Sequence, residues 1–292
     1  MEPILASQAS LRAFQCDTGI KMLSDSPNLK SVPSNFTFIN ESAAASSDSI
    51  PIVDFYALTS GDPDQRSKAI HHLGKACEEW GFFNILYIYI YIYIYIYICR
   101  DVVVEYTERT RKLYRKLVEA VSETLELETH YVNEVLKLDS SFQIFVTNLY
   151  PPCPQPDQAI GIPEHTDPGL FVFLIHNGVA GLQIEHNGEW FNADSPHNSI
   201  LVNVADHLEI FSNGRCKSVK HRAVVNNETE RISIVMANGP SMDAVVGPAA
   251  PLVAKDGAAF YSSMKYEDYM ESLVTKSRYG KSLLEQMKIH GN

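Results

Sequence analysis

The chain has 292 residues, 45% hydrophobic and 20% charged, which is ordinary for a globular protein long enough to bury a substantial core. Its net charge of −11 argues against a general nucleic-acid binder, because affinity for phosphate comes from clusters of Lys and Arg. The five cysteines are scattered and odd in number, so they predict neither a disulfide scaffold nor a paired zinc site, and they fit a reducing compartment.

The first part of the chain contains few structural signals. Residues 1–49 are rich in Ser, Ala and Asn and lack periodicity, which predicts a disordered leader. No basic region precedes a long apolar run there, so we expect a cytoplasmic protein without a secretory signal or a membrane segment. Residues 50–86 are predicted to contain a strand at Ile50–Asp54, a helix over Asp62–Trp80 and a strand that begins at Phe82.

The next segment, residues 87–99, is anomalous because Tyr-Ile is repeated six times in residues 87–98. As a physical pattern, this tract is a strand with two apolar faces and no charge, of the kind that aggregates when exposed. It is too short to cross a bilayer as a helix, which needs about 20 apolar residues. An alternating A-T tract in DNA also translates as alternating Tyr and Ile, so the second interpretation is intron sequence read as exon.

Residues 100–141 are predicted to be helical support, with one helix over Val104–Leu138. Its apolar stripe of Leu113, Leu117, Val121 and Leu125 is most simply packed on the outside of a barrel. The following 142–250 region contains many short strands separated by turn signals, which favours a jelly roll. The predicted strands are 142–149, 160–165, 170–176, 181–185, 189–193, 199–203, 208–211, 218–225, 231–237 and 243–247. A tail over 251–292 has a predicted helix near Tyr266–Leu273.

Within the strand-rich region, His165 and Asp167 stand two positions apart, and His221 follows 54 residues later. Residues two apart in a strand share a face, so the imidazole and the carboxylate can reach one ion. Two histidines and one carboxylate form the facial triad of non-haem iron(II) oxygenases. Zinc is a rival metal, since the same ligands suit it, and three unconnected polar residues at strand ends are the simpler alternative.

Arg231 and Ser233 follow ten residues after His221 and also share a strand face. A guanidinium fork and a hydroxyl are suited to holding a carboxylate at a distance from the metal. The alternative is a surface arginine paired with Glu228 or Glu230, which would contribute about 0–1 kcal/mol. We prefer the binding interpretation because the rest of this strand is apolar. Such a clamp also argues against zinc as the metal, because a zinc hydrolase would have no need of it.

These residues and their flanking motifs resemble the plant 2-oxoglutarate- and iron(II)-dependent dioxygenases, over roughly residues 50–86 and 105–275. That family carries H-x-D, a distant His, R-x-S ten residues further on and an N-x-Y-P-P-C-P segment, present here at Asn148–Pro154. The runs Gly181–Ile184, Gly188–Trp190 and Val202–Ile210 are also similar. The resemblance is strongest to the group of flavanone hydroxylases and downy-mildew-resistance oxygenases. A segment that the family has before Tyr106 is absent, and the Tyr-Ile tract lies at that junction.

The resemblance implies a mainly β fold with flanking helices, built on a double-stranded β-helix. It implies iron(II) held by His165, Asp167 and His221, and 2-oxoglutarate held by Arg231, Ser233 and Tyr150. Dioxygen would be the second cosubstrate, with ascorbate as a further reductant. The expected reaction is hydroxylation of a small plant metabolite of flavonoid or phenolic type, with succinate and carbon dioxide as products, by a monomer without nucleic-acid or membrane partners.

Two other functions stay open. The chain could be a truncated product that binds metal without turnover, or a non-catalytic cupin-like binding module. Several residues also have a simpler interpretation: Tyr150 as a core aromatic, Asn203 and Asp206 as ladder and turn residues, and Cys153 as packing. Four histidines are expected at the surface or in loops: His176, His186, His197 and His207. The family has Gly where this chain has Ala205, which matters if the turn there needs a positive φ.

Overall fold

The structure is a computed structural model that describes residues 31–32, 49–86, 100–196, 198–276 and 283–289. The Tyr-Ile tract and His197 lie outside the described residues, as does the predicted leader apart from residues 31, 32 and 49. Within the part of the chain that the structure covers, no helix is both long enough and apolar enough to cross a membrane.

Two facing sheets form the centre of the molecule. The major sheet has six strands in the order β1-β2-β8-β5-β10-β3, and the minor sheet has four in the order β4-β9-β6-β7. Strand β1 runs parallel to β2, whereas every other neighbouring pair is antiparallel. The strands are β1 (Ile52–Asp54), β2 (Phe82–Leu86), β3 (Gln143–Tyr150), β4 (Ile162–His165), β5 (Phe171–His176), β6 (Leu182–His186), β7 (Glu189–Asn192), β8 (Ser199–Val204), β9 (His221–Ala223) and β10 (Arg231–Asn238), with a separate pair β11 (Val245–Val246) and β12 (Met264–Lys265).

Helices flank the strands. They are α1 (Phe55–Ser60), α2 (Pro63–Lys75), α3 (Arg100–Thr124), α4 (Tyr131–Val135), α5 (Asp206–Phe211), α6 (Ala250–Asp256), α7 (Tyr266–Lys276) and α8 (Leu283–Met287). A π-helical turn, Ala76–Trp80, continues α2, and short 3-10 turns lie at Leu138–Ser140 and Pro156–Gln158. Asp62 caps α2 by accepting bonds from two backbone N–H groups of its first turn, and Pro63 follows at a position where the missing N–H costs nothing.

Alternation along the strands divides the apolar side chains between two clusters. The larger cluster lies between the major sheet and the helices, where Phe83 of β2 and Phe171 of β5 meet Leu117 of α3. The smaller cluster lies between the sheets, where Phe82 of β2 and Ile184 of β6 come together. Successive residues of a strand point to opposite faces of the sheet, so alternate residues face the helices and the interior of the barrel. The double-stranded β-helix with flanking helices is confirmed.

The predicted stripe on α3 is also confirmed, because Leu113, Leu117, Val121 and Leu125 are all buried against the outside of the barrel. The prediction of one helix as far as Leu138 was wrong. Helix α3 ends at Thr124, and Glu126 then takes a positive φ of 57°, which a continuing helix cannot accommodate. The chain becomes helical again only at α4.

The strand predicted at 208–211 is instead part of α5. Alternation of Leu208 and Ile210 with Glu209 produced the strand pattern, but Glu209 is buried as well. Its carboxylate accepts bonds from the Tyr261 hydroxyl at 2.6 Å and from the Ser218 backbone N–H at 2.6 Å. Because Glu209 is buried with a partner on each oxygen, the segment 208–211 has no exposed polar face, which a half-exposed strand would need. The other predicted strands are present, although 218–225 shortens to β9 and 243–247 to β11.

We expect Leu117→Ala in α3 to lower the free energy of unfolding by about 2–5 kcal/mol, because the residue is fully buried and the substitution leaves a cavity. Val104→Ala on the exposed side of the same helix should change it by less than about 0.5 kcal/mol. Urea denaturation followed by circular dichroism measures both. Equal losses in the two variants would mean that the stripe does not pack as described.

Candidate active site

Strand pairing brings the two predicted histidine ligands together. His165, the last residue of β4, lies directly opposite His221, the first residue of β9, and their ring centroids are 4.2 Å apart. Each ring directs Nδ1 at a backbone carbonyl two residues earlier, at Pro163 (2.8 Å) and Val219 (3.2 Å). A carbonyl only accepts, so Nδ1 carries the hydrogen and a neutral ring presents the lone pair of Nε2 to the site. Phe82 packs edge-on against the His221 ring at 5.5 Å.

Asp167 completes the cluster, although it does not lie on a strand as its spacing from His165 suggested. Strand β4 ends at His165, and Asp167 stands in the loop that follows. Its Oδ1 lies 3.6 Å from Nε2 of His165, and its Oδ2 lies 3.3 Å from Nε2 of His221. The ligand atoms of the three residues are within 4.8 Å of one another, so together they could hold one metal ion.

Hydrogen bonds join the loop that carries Asp167 to the end of β8 and the start of α5. The backbone N–H groups of Asp206 and His207 donate to the carbonyls of Asp167 and Gly169, both at 2.9 Å. The Asn203 amide donates to Asp167 Oδ2 at 2.7 Å. A loop without secondary structure thus obtains a fixed position from hydrogen bonds to rigid elements.

Two residues around this loop have a larger role than the sequence indicated. Asn203 and Asp206 were expected to be ladder and turn residues, yet both contact the loop of the triad. Asp206 is buried and accepts bonds from Ser218, Tyr269 and Thr166 at 2.6, 2.7 and 3.2 Å. Burial raises the pKa of Asp206 to about 6, against these three hydroxyl groups, which lower it.

Two expectations about neighbouring positions are settled by the geometry. His207 is not a surface histidine: it is buried between the rings of Tyr266 and Tyr269, and its Nδ1 accepts the Gly169 N–H at 3.0 Å. That side chain satisfies a buried backbone donor, so the expectation of exposure was wrong. Ala205 has φ −109° and ψ 168°, an extended conformation that any residue adopts, so this position does not need the family's glycine. His176 and His186 are half-buried at the ends of β5 and β6.

The charges of the triad depend on one another. Burial by itself raises the pKa of Asp167, but the His221 and His165 imidazoles and the Asn203 amide outweigh it and bring that pKa down to about 2. Burial lowers the pKa of His221, but Asp167 outweighs that effect and the net shift is upward. Burial and the nearby His221 lower the pKa of His165. The Asp167 carboxylate is therefore ionised at neutral pH.

The three residues predicted to hold a carboxylate lie together on the two last strands of the major sheet. Arg231 of β10 pairs with Tyr150 of β3, and its guanidinium lies 5.0 Å from the centroid of the Tyr150 ring. Ser233 accepts a bond from the Asn148 amide at 3.3 Å. Arg231 is 2% exposed, so the surface alternative for it was wrong. Tyr150 is buried too, which leaves its core role open.

Arg231 is held through Nε, and one of its two terminal nitrogens is unsatisfied within the described residues. Its Nε donates to the Val179 carbonyl at 3.2 Å, whereas its buried Nη1 has no hydrogen-bond partner among the described residues. Burial lowers the pKa of Arg231, against the opposing effect of Tyr150. Gly181, noted in the sequence only as part of a family-like run, makes this placement possible, because a Cβ there would lie 2.8 Å from Cδ of Arg231. A buried cation with an unsatisfied donor is costly unless an anion meets it.

One cavity of about 220 Å³ joins the triad to Arg231. Its polar wall consists of the triad, Arg231, Ser233 and a few neighbours, and both sheets contribute the rest. The apolar lining residues are Phe82, Val146, Ile162, Val172, Leu174, Leu182, Leu201, Ala223, Val235 and Ala237. The cavity therefore combines a possible metal site, a buried cation and a largely apolar wall, which is the composition of a small-molecule site.

Comparison with known proteins agrees with this arrangement. The 2OG-Fe(II) oxygenase superfamily matches residues 141–240. The chain is 34% identical to 2-oxoglutarate-dependent dioxygenase 19 of Oryza sativa subsp. japonica, over 85% of this chain and 93% of that protein. It is 38% identical to Protein DMR6-LIKE OXYGENASE 1 of Arabidopsis thaliana and 35% identical to Flavanone 3-dioxygenase 2 of Oryza sativa subsp. japonica. Those two alignments cover 65% and 61% of this chain but only 54% and 52% of the relatives.

Among solved structures, JOX2 in complex with 2OG, Fe and JA has a similar fold, with a TM-score of 0.79 and 23% identity over 92% of this chain and 97% of that one. That likeness shows the fold, and the similarity to the rice dioxygenase shows that the chain is a plant-type oxygenase of the iron(II) and 2-oxoglutarate class. The chain belongs to the 2OG-Fe(II) oxygenase superfamily, whose enzymes use iron(II) and 2-oxoglutarate on small-molecule substrates.

Proposed function

We propose that His165, Asp167 and His221 hold the iron(II) of this oxygenase, and that Arg231, Ser233 and Tyr150 hold the far carboxylate of 2-oxoglutarate. The observation that carries the proposal is a single cavity with three convergent ligands at one end and, at the other, a buried guanidinium nitrogen without a partner among the described residues. Two imidazoles and one carboxylate suit iron(II) and leave other coordination positions open. A carboxylate at Arg231 would satisfy the donor that is otherwise orphaned.

Iron(II) with 2-oxoglutarate supplies the oxidation of a C–H bond by dioxygen, with succinate and carbon dioxide as products. The chain's own residues provide position and environment. Arg231 and Ser233 fix one end of the cosubstrate, and the histidines keep Nε2 directed at the metal through their backbone bonds. The apolar wall excludes water from the space between the two ends.

For the substrate, we propose a small and largely apolar molecule of flavonoid or phenolic type. The apolar lining of the cavity supports an apolar ring system, and the sequence resemblance to flavanone hydroxylases supports the flavonoid class. JOX2, which has a similar fold, was solved in complex with JA, so a molecule of the JA type is the alternative substrate. A cytoplasmic location and a monomeric state stay predictions.

Removing one of three ligands should abolish most of the metal affinity. We expect His165→Ala and Asp167→Ala each to weaken iron(II) binding by about tenfold or more, measured by anaerobic calorimetric titration. His186→Ala, a half-buried histidine that stacks on Trp80 and is not a member of the triad, is the matched control and should leave the affinity unchanged. Wild-type affinity in both ligand variants would refute the assignment.

Arg231→Lys keeps a positive charge but loses the two-pronged guanidinium. We expect 2-oxoglutarate to bind about tenfold more weakly to this variant in the presence of iron(II), while the affinity for iron(II) alone stays as in the wild type. A loss of 2-oxoglutarate affinity without a loss of iron(II) affinity would show that Arg231 contacts the cosubstrate and not the metal. Unchanged binding of 2-oxoglutarate would place the carboxylate clamp elsewhere.

A second candidate is that this particular chain binds metal with little or no turnover. In the described part of the chain β3 has a single strand neighbour, β10, so β3 is an edge of the major sheet. Val146 on the cavity side of this edge is 39% exposed, and Leu149 on the opposite side is 37% exposed. The alignment with the rice dioxygenase runs over 313 positions, more than the 292 residues of this chain, so that relative has residues without a counterpart here. The exposed edge supports a missing wall segment beside β3, and the alignment supports the absence of residues that the relative has.

If the Tyr-Ile tract stands in place of a native segment, the chain as given should aggregate, bind iron(II) and form little succinate. An uncharged edge strand is a ready template for pairing between chains. Replacing residues 85–105 by the corresponding family-like segment should restore solubility and succinate formation together. Size-exclusion chromatography with light scattering and a succinate assay measure the two properties. A soluble, monomeric and fully active 292-residue protein would contradict this second candidate.

A further inference from the structure

Asn203 lines the cavity that also contains the triad. It belongs to β8, a strand with neighbours on both sides, and it is 4% exposed. Its side chain faces the cavity, opposite Val172 of β5 and Phe82 of β2 in the strand registers. Its amide nitrogen donates to Oδ2 of Asp167 at 2.7 Å. This polar side chain is therefore placed by the most rigid part of the sheet and directed at the one ligand that stands in a loop.

The orientation of this amide follows from chemistry. A carboxylate oxygen accepts hydrogen bonds and does not donate them when ionised, so the 2.7 Å contact with Asp167 Oδ2 requires Nδ2 of Asn203 to face it. The amide oxygen then faces away, and in the described structure this buried Oδ1 has no hydrogen-bond partner. Burying an unsatisfied oxygen has a cost that a purely structural amide would avoid. Asn203 is therefore oriented to make the hydrogen bond to Asp167, although its own amide oxygen is left without a partner in the described structure.

The two oxygens of Asp167 consequently have different surroundings. Oδ2 accepts the Asn203 amide and lies 3.3 Å from Nε2 of His221, whereas the neighbour of Oδ1 is Nε2 of His165, at 3.6 Å. Carboxylates bind metals through one oxygen or through both. The hydrogen bond from the Asn203 amide fixes the rotation of the Asp167 carboxylate and occupies one of its oxygens. It therefore disfavours binding of a metal ion through both oxygens.

We propose that Asn203 is a positioning residue that holds Asp167 as a ligand through one oxygen and so preserves an open coordination position. This inference rests on the proposed metal site. Asn203 acts through Asp167 and makes no contact of its own with the ion. Without the amide, Asp167 is free to rotate and to occupy a second position with its other oxygen.

The test uses cobalt(II), which binds similar ligands and whose visible absorption weakens as the coordination number rises. Asn203→Leu removes the donor while keeping the number of side-chain heavy atoms and the branching at Cγ. Asn84→Leu is the matched control: this buried amide lies on the adjacent strand β2, and its oxygen accepts from Ser199, not from the triad. Calorimetric titration gives the cobalt(II) affinity, and the absorption spectrum of the saturated protein gives the coordination.

For Asn203→Leu we expect cobalt(II) to bind about 10–100 times more weakly, with a weaker visible absorption per bound ion, as loss of an outer-shell partner implies. Asn84→Leu should retain the wild-type affinity and spectrum. Wild-type affinity and spectrum in a folded Asn203→Leu protein would overturn the inference. If the wild-type protein binds no cobalt(II), the proposed metal site fails instead, so the two failures are distinguishable.

Two smaller substitutions keep the test decisive if circular dichroism finds Asn203→Leu unfolded. Asn203→Ala removes the donor without steric conflict, and Asn203→Ser retains a short hydroxyl donor. We expect the cobalt(II) affinity to fall more in Asn203→Ala than in Asn203→Ser. The visible absorption should also change more in Asn203→Ala. Equal affinities of these two variants, whether both normal or both low, would contradict a role through the hydrogen bond.

Discussion

The direct pairing of His165 with His221 across β4 and β9 is the constraint on which the site depends. It sets two imidazoles side by side on neighbouring strands, with their Nε2 atoms directed at one point by bonds to the local backbone. A slip of the strands by one residue would send one ring to the opposite face of the minor sheet. Asp167 is then the only member of the triad that needs separate placement.

That placement comes from the major sheet and so ties the two sheets together. The loop after β4 hydrogen-bonds to the region from Asn203 to His207, where the central strand β8 passes into α5. The same sheet provides Arg231 and Ser233 on its inner face, through the alternation of β10. The proposed metal ligands and carboxylate clamp are thus positioned by one scaffold and separated by an apolar cavity.

The sequence was informative where periodicity or spacing maps directly onto geometry. The α3 stripe could be read from apolar residues four positions apart, most strands from alternation, and the triad and Arg231 from residue types at family spacings. Prediction failed where long-range contacts override a local pattern. Glu209 looked exposed by alternation but is buried through Tyr261 and Ser218, and His207 is buried because it satisfies the Gly169 amide. Such partners are distant in sequence, so no local signal reveals them.

The most direct test of the central claim is whether the metal and Arg231 act on the same molecule of 2-oxoglutarate. Calorimetric titration of 2-oxoglutarate into the wild-type protein, with and without saturating cobalt(II), measures this. We expect the metal to strengthen 2-oxoglutarate binding by about tenfold or more, and 2-oxoglutarate to strengthen cobalt(II) binding by the same factor, since coupling between two ligands is reciprocal. Identical affinities in the presence and absence of metal would show that the two ends of the cavity do not form one site.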